Sequence, residues 1–478
     1  MQGNRSSKYE ILSVGIDIGT TTTHLVFSKI HIVNMAGGSA IPHFEIASRE
    51  IIYQSDVYFT PLLSETEIDV EKLKEIIVTE YAKAEVQPSD VKSGAVIITG
   101  ESAQKENADQ VAKILEGLAG DFVVAVAGPD LEAILAGEGS GARELSRQKG
   151  IIIANLDIGG GTTNIAVFDS GELCDTATFK VGGRLFCIDP VTLTVRSVTS
   201  VARQYAEQLG LVIEMGRPLQ KKVVEAFCQA LVDTLDEVIE RRNLSAISKI
   251  GLVSGPLRRG YKIDALTFSG GVGHYIYQSI PENPFVYGDY GPYLAKFIKE
   301  NSCMIKRYHI LRPRHTLRAT VIGAGVYSMK LSGSTIFLKN YDLLPLRNVP
   351  VVLLPLEERE NRNTIRQKLT DAIRPYKDKY PLVAVAISGW KQPTLKQLEE
   401  LSFALAVSRE VGNPLVVITE GNYAKVLGYL LEQQFIKGED LICLDEIKLS
   451  GGDFIDIGSP LPIGRVVPVV IKRLVFSE

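Results

Sequence analysis

The sequence predicts an α/β fold in which two related lobes precede a further α/β domain. Three observations point there. The stretch "GIDIGTTTTHLVF" (15–27) recurs in design as "NLDIGGGTTNIAVF" (155–168), about 140 residues further on, which is one domain length. Short apolar runs alternate with stretches of helical periodicity between and after the two copies. A fresh α/β pattern then begins at Ser332.

In the first copy Val14, Ile16 and Ile18 read as a buried strand, and Leu25, Val26 and Phe27 as a second. Asp17 stands at the end of the first strand, and Gly19, Thr20, Thr21 and Thr22 form the turn between them. The second copy sets Asp157 before Gly159, Gly160, Gly161, Thr162, Thr163 and Asn164. Each lobe therefore opens with a β-hairpin.

Between the copies, 70–84 has helical periodicity, "GAVIITG" (94–100) is a strand, 107–118 a helix and "FVVAVAG" (122–128) a strand. Pro129 starts a short helix over 129–142. Gly137, Gly139 and Ala142 satisfy G-x-G-x-x-A there, but they follow a helix where a dinucleotide site needs a strand, so that reading is rejected. Residues 190–250 are mostly helical in pattern and read as a cap on the second lobe. "IDALTFSGGVG" (263–273) is a strand followed by a glycine turn, and 318–330 is a helix whose small residues permit close packing. The expected boundaries are 11–150 for lobe I, 151–331 for lobe II with a helical cap around 190–262, and 332–478 for the additional domain. In that last domain "VPVVLLPL", "LVAVAISG" and "PLVVITEG" alternate with helices over 363–374 and 395–408.

A net charge of -4 and a pI near 6.0 give no basic footprint, so neither nucleic acid nor an anionic membrane is an expected partner. No run of 18 apolar residues occurs and the first 13 residues are polar, so a cytoplasmic protein is expected. The five cysteines never form C-x-x-C, which argues against a disulfide framework, a zinc site or an iron–sulfur cluster. The six histidines are dispersed without an H-E-x-x-H, and His24 and His274 are given no role.

Turns rich in Gly and Thr offer backbone N–H groups and hydroxyls to phosphate oxygens, and two facing turns can clamp a triphosphate. An aspartate beside phosphates repels them, so Asp17 and Asp157 read as holders of Mg²⁺ through water. Asp157 or a nearby polar side chain then orients an attacking water, giving hydrolysis by positioning and electrostatics. The third turn, Ser269, Gly270, Gly271 and Val272, lets a flat adenine or ribose approach the backbone. No G-x-x-x-x-G-K-[ST] occurs, so a P-loop is unsupported.

The ordered set "GIDIGTTTTHLVF", "GPDLEAILAG", "NLDIGGGTTNIAVF", "VGGRLF" and "LTFSGGVG" resembles the phosphate-1, connect-1, phosphate-2 and adenosine segments of the actin, heat-shock chaperone and sugar-kinase superfamily. The resemblance covers 11 to about 330 and implies an actin-like ATPase fold closing over MgATP, with Asp17 and Asp157 flanking the metal. In the chaperone branch a glutamate precedes the connect-segment proline, and here Gly128 holds that place. Within the superfamily, "IITGESAQKENADQVA" (97–112), "KVGGRLFCID" (180–189) and "VVPVVIKRLVF" (466–476) are similar to the ethanolamine ammonia-lyase reactivating factor family. That resemblance implies a chaperone-like ATPase of ethanolamine utilization, which releases damaged cobalamin from ethanolamine ammonia-lyase so that adenosylcobalamin rebinds. It is compatible with a homodimer and with residence in a bacterial microcompartment. The rivals are a small-molecule kinase, whose first turn usually precedes a basic residue where His24 stands here, and a filament-forming actin-like protein. Activators of acyl-CoA dehydratases need a cysteine-ligated cluster that this cysteine spacing excludes.

Overall fold

Both lobes are built on the same strand order, each opening with an antiparallel hairpin. The computed structural model describes residues 8–19, 22–35, 44–64, 67–98, 107, 111, 115, 124–126, 128–327, 329–333, 335–358, 360–377, 379–408, 413–435, 440–461 and 466–473. Thr20 and Thr21, and most of the helix expected over 107–118 and of the motif at 97–112, lie outside the described residues.

In lobe I, β1 (Lys8–Ile18) pairs antiparallel with β2 (Thr22–Asn34), which pairs with β3 (Phe44–Gln54) and, near its start, with β4 (Tyr58–Phe59). After α1 (Val70–Lys83), β5 (Val91–Ile98) and β6 (Val124–Val126) extend the sheet in parallel, giving the order β3-β2-β1-β5-β6. Val14, Ile16, Ile18, Leu25 and Phe27 share one buried cluster with Leu73, Ile77 and Tyr81 of α1. The helix begins where the Asp69 carboxylate accepts from the Lys72 amide at 3.1 Å.

Lobe II repeats the plan. Antiparallel β7 (Ile152–Ile158), β8 (Thr163–Asp169) and β9 (Glu172–Phe179) are extended in parallel by β11 (Ala265–Ser269) and β12 (His309–Ile310), while β10 (Leu252–Ser254) lies outside β9. Read from β9 the order is β9-β8-β7-β11-β12, the order of lobe I. The segment expected as a cap supplies the helical layer of this core: α3 (Lys221–Ile239) buries Val224, Phe227, Leu231 and Leu235 in the cluster that holds Leu156, Ile158 and Ile165, joined there by α4 (Gly291–Asn301) and α5 (Cys303–Arg307).

Two helices cross between the lobes, α2 (Pro129–Ser140) and α6 (Ala319–Tyr327). Their backbones touch, since a Cβ at Gly139 would lie 1.8 Å from the Ala319 carbonyl oxygen and one at Gly323 would lie 1.9 Å from that of Leu135. Each is exchanged against the sheet of the other half. Ala133 of α2 packs with Ile153, Ala166 and Phe168 of lobe II, whereas Val321 and Ile322 of α6 pack with Val26 of lobe I.

The last sheet has eight strands in the order β13-β20-β19-β15-β16-β17-β18-β14: β13 (Met329–Leu331), β14 (Phe337–Leu338), β15 (Leu346–Pro355), β16 (Ala384–Ser388), β17 (Leu415–Thr419), β18 (Leu441–Leu444), β19 (Asp453–Ile457) and β20 (Pro468–Arg473). Strands β15 to β18 run parallel and are buried on both faces, which is why each reads as an unbroken apolar run. Leu461, Val466 and Val470 meet Ile11, Ile30 and Ile32 of the long first hairpin, so this domain docks on lobe I. Among the described residues no helix is long and apolar enough to cross a membrane.

Candidate functional site: the cleft between the lobes

The two hairpin turns close with the same hydrogen bond. The Gly19 amide donates to the Thr22 carbonyl at 2.9 Å, and the Gly159 amide donates to that of Thr162 at 2.9 Å. Each turn is then braced from outside. In lobe I the Thr60 hydroxyl donates to the Gly19 carbonyl at 2.7 Å. In lobe II the Gly183 and Arg184 amides donate to the Gly159 and Gly160 carbonyls at 3.0 and 2.7 Å.

Between them lies a cavity of about 350 Å³. It is lined by Asp17, Gly19, Thr22, Asp157, Gly159, Gly160, Gly161, Thr162, Gly270 and Gly271, all expected from the sequence. Thr163, Asn164, Ser269 and Val272 are not among the lining residues. The Thr163 hydroxyl donates to the Val181 carbonyl at 2.7 Å, Asn164 accepts from Thr178 at 3.0 Å, and Val272 is buried in the lobe II core. Gly270 to Gly273 form the first turn of a helix where a glycine turn was expected. Gly270 turns the chain there with φ of 87°, and a Cβ would meet the Ile158 carbonyl oxygen at 2.4 Å.

Asp157 is buried, and its Oδ1 accepts from the Ser269 hydroxyl at 2.5 Å, with Thr320 of α6 as a second donor. Burial raises its pKa to about 6, against the pull of those two hydroxyls. Asn155 sits on the same strand face two residues earlier. Its Nδ2 donates to Ser269 Oγ at 3.1 Å, and its Oδ1 accepts from Thr267 at 2.9 Å and from Ser140 at 3.2 Å. A buried polar ladder thus runs from the end of α2 to Asp157. Asn155 could have been found by its period-two spacing from Asp157, whereas Thr320 carries no local signal.

Across the cleft, buried Asp17 lies opposite His24 in the β1–β2 register. Both ring nitrogens of His24 are buried and lack a hydrogen-bond partner. Burial, then the charge of Arg318, lowers the His24 pKa to about 3, so the ring is neutral. The Arg318 guanidinium donates to Gln54 Oε1 at 2.7 Å and to the Ser55 carbonyl at 2.6 Å. Glu132, Lys180, Arg184 and Thr320 also line the cavity. The sequence alone assigns a site role to none of these four, nor to His24.

The residues present fit a nucleotide and its magnesium. A Cβ at Gly161 or Gly271 would meet nothing within 4 Å, which leaves room for phosphate or ribose against the backbone. Two buried carboxylates, Asp17 and Asp157, line the same cavity as His24, whose ring nitrogens are unpartnered. Among the described residues no group of three or more His, Cys, Asp or Glu side chains assembles, so a cation here would rest largely on water and phosphate, as Mg²⁺ does.

Two lobes of one strand order, joined by two crossing helices beside a glycine-lined cleft, define an actin-like ATPase fold. The chain belongs to the family described as ethanolamine utilisation protein EutA, whose model matches residues 9–477. It is 39% identical over 478 residues to ethanolamine ammonia-lyase reactivase EutA of Salmonella typhimurium, covering 98% of this chain and 99% of that protein. To the reactivase of the same name from Escherichia coli it is 38% identical over 470 residues, with the same two shares. Among solved structures, ethanolamine utilization protein EutJ from Carboxydothermus hydrogenoformans aligns at 16% identity and a TM-score of 0.33, covering 66% of this chain and 89% of that one.

Proposed function

We propose that this protein reactivates ethanolamine ammonia-lyase, binding MgATP between its lobes and using hydrolysis to release damaged cobalamin so that adenosylcobalamin can enter. The observation that carries this reading is the end-to-end similarity to two proteins named as reactivases of that lyase. The cleft supports the nucleotide part of it.

Bound Mg²⁺ supplies neutralisation of phosphate charge as the bond to the γ-phosphate breaks. The turn at 159–162 holds the phosphate chain through its amides, and Gly19 and Thr22 hold it from the other lobe. Asp157, fixed by Ser269 and Thr320, orients the metal's water shell. Glu132, on α2 and facing the cleft, is the carboxylate that orients the attacking water, taking up the task left open by Gly128. Because Thr320 sits on α6 and Ser140 on α2, movement of the crossing helices changes the setting of Asp157. Hydrolysis in the cleft thereby couples to the angle between lobes, and a lyase surface that prefers one angle is strained or released.

The test incubates inactivated lyase with the protein, MgATP and fresh adenosylcobalamin. Activity should return with ATP and stay absent without it. Equal recovery in both arms would remove the ATP-driven mechanism, and no recovery in either would remove the reactivase reading.

A further inference from the structure

We propose that Phe59 and Arg184 form a latch across the mouth of the cleft that couples the two glycine turns, which makes them positioning residues for the nucleotide chemistry proposed above; the inference rests on that reading. The Arg184 guanidinium carbon lies 5.0 Å from the centre of the Phe59 ring, with the ring on lobe I and the cation on lobe II. Val57 and Arg184 both line the cavity, so the pair sits on its rim.

Each half is tied to the turn of its own lobe. Phe59 stands opposite Thr22 in the β4–β2 register, and the next residue, Thr60, holds the Gly19 carbonyl. The preceding Tyr58 is anchored through its hydroxyl to Glu80 at 2.5 Å. Glu80 is buried and also accepts from Tyr53 and Lys83, each at 2.7 Å, so strand β4 is fixed to α1 and cannot shift alone. On the other side the Arg184 amide holds the Gly160 carbonyl. Its side chain donates to Asp289 at 3.0 Å and to the Tyr287 carbonyl at 2.8 Å, which aims the guanidinium toward the opposite lobe.

The path therefore runs from Gly19 through Thr60 and Phe59 to Arg184 and Gly160, and its step between the lobes is the cation–π contact. Phe59 is 67% exposed, an aromatic ring left largely open to solvent on lobe I beside the Arg184 cation of lobe II. Opening the lobes parts ring from cation, and closing them on a phosphate chain restores the contact. The pair thus slows nucleotide release without touching the reacting atoms. A partly exposed contact of this kind changes a rate by roughly 2- to 5-fold.

Stopped-flow release of a fluorescent N-methylanthraniloyl ATP with Mg²⁺ would be measured for wild type, Phe59→Leu, Arg184→Met and the double variant. Phe59→Leu should speed release by about 3-fold and Arg184→Met by at least as much, since it also loses the bonds to Asp289 and Tyr287, while the double should be no faster than Arg184→Met alone because the shared contact is already gone. Multiplying effects, or rates equal to wild type, would overturn the latch. A second measurement needs no nucleotide. Amide exchange at 159–162 in lobe II should quicken when Phe59 in lobe I is replaced, whereas unchanged exchange there would also overturn it. If wild type bound no analogue, the nucleotide reading would fail and the exchange result alone would decide the latch.

Discussion

In lobe I the turn aspartate, Asp17, lies across the hairpin from a neutral His24, beside an arginine held by Gln54 and Ser55. In lobe II its counterpart, Asp157, lies beneath a ladder of Ser269, Asn155 and Ser140 and is bonded to a crossing helix through Thr320. The strand order and the closing turn bond are the same in both. The two lobes thus share the backbone cradle and differ in the side chains behind it. The lobe II carboxylate is buried and bonded to a crossing helix, whereas behind the lobe I turn stand the unpartnered nitrogens of a neutral His24 and, beside them, the Arg318 guanidinium.

That contrast breaks most readily at Asp157. Asp157→Asn should lower hydrolysis by about 10³-fold while weakening nucleotide binding far less, because the turn amides remain. The same change should stabilise the nucleotide-free protein at neutral pH. A carboxyl whose folded pKa is raised from 3.8 to about 6 contributes stability that is fully present below the lower value and is lost as pH rises through the higher one. Asparagine removes that loss, worth up to about 3 kcal/mol at pH 8 and nothing near pH 3. Denaturant titrations at the two pH values check the sign, and a variant less stable than wild type at pH 8 would contradict the burial account.

Glu132→Gln sharpens the assignment of roles within the cleft. Turnover should fall by about 10²-fold with nucleotide affinity nearly unchanged, measured by phosphate release and calorimetry on one preparation. Wild-type turnover would return the water-orienting task to Asp157. A smaller effect is expected at the crossing, where Gly139→Ala places a methyl against the Ala319 carbonyl. The clash should cost about 2 kcal/mol in thermal or denaturant unfolding, and an unperturbed variant would mean that the helices are not held so close. Smallest is His24→Leu, which removes two buried unpaired nitrogens and should stabilise the nucleotide-free protein by about 1 kcal/mol while weakening nucleotide binding. Tighter binding in that variant would deny His24 any part in holding the ligand.

The hairpins were legible because their signals are local. Asp17 and Asp157 sit at strand ends, the glycines mark the turns, and the alternation of Val14, Ile16 and Ile18 sets the buried face. The helix expected over 395–408 coincides with Leu395–Ser408 for the same reason, its periodicity being complete within the segment. The hidden parts are those set by chain partners far apart in sequence. Nothing local says that α2, which follows the first lobe, packs on the sheet of the second. Nothing local distinguishes a glycine turn from a helix start at Gly270, because the same Ser-Gly-Gly run after a strand suits either. Thr320 beneath Asp157 and Arg184 against Phe59 belong to the same class, and Glu132 reads as an ordinary first-turn acid until α2 is seen beside the cleft.

The claim on which the account rests is that both turns grip one nucleotide, and calorimetric titration of MgATP tests it most directly when wild type is compared with Gly161→Val. A Cβ at Gly161 meets nothing within 4 Å, so the larger side chain fits the folded protein and projects into free space beside the turn. Wild type should bind one MgATP per chain, and Gly161→Val should bind none while melting like wild type. Absence of binding by folded wild type, or equal binding by the variant, would contradict the nucleotide cleft.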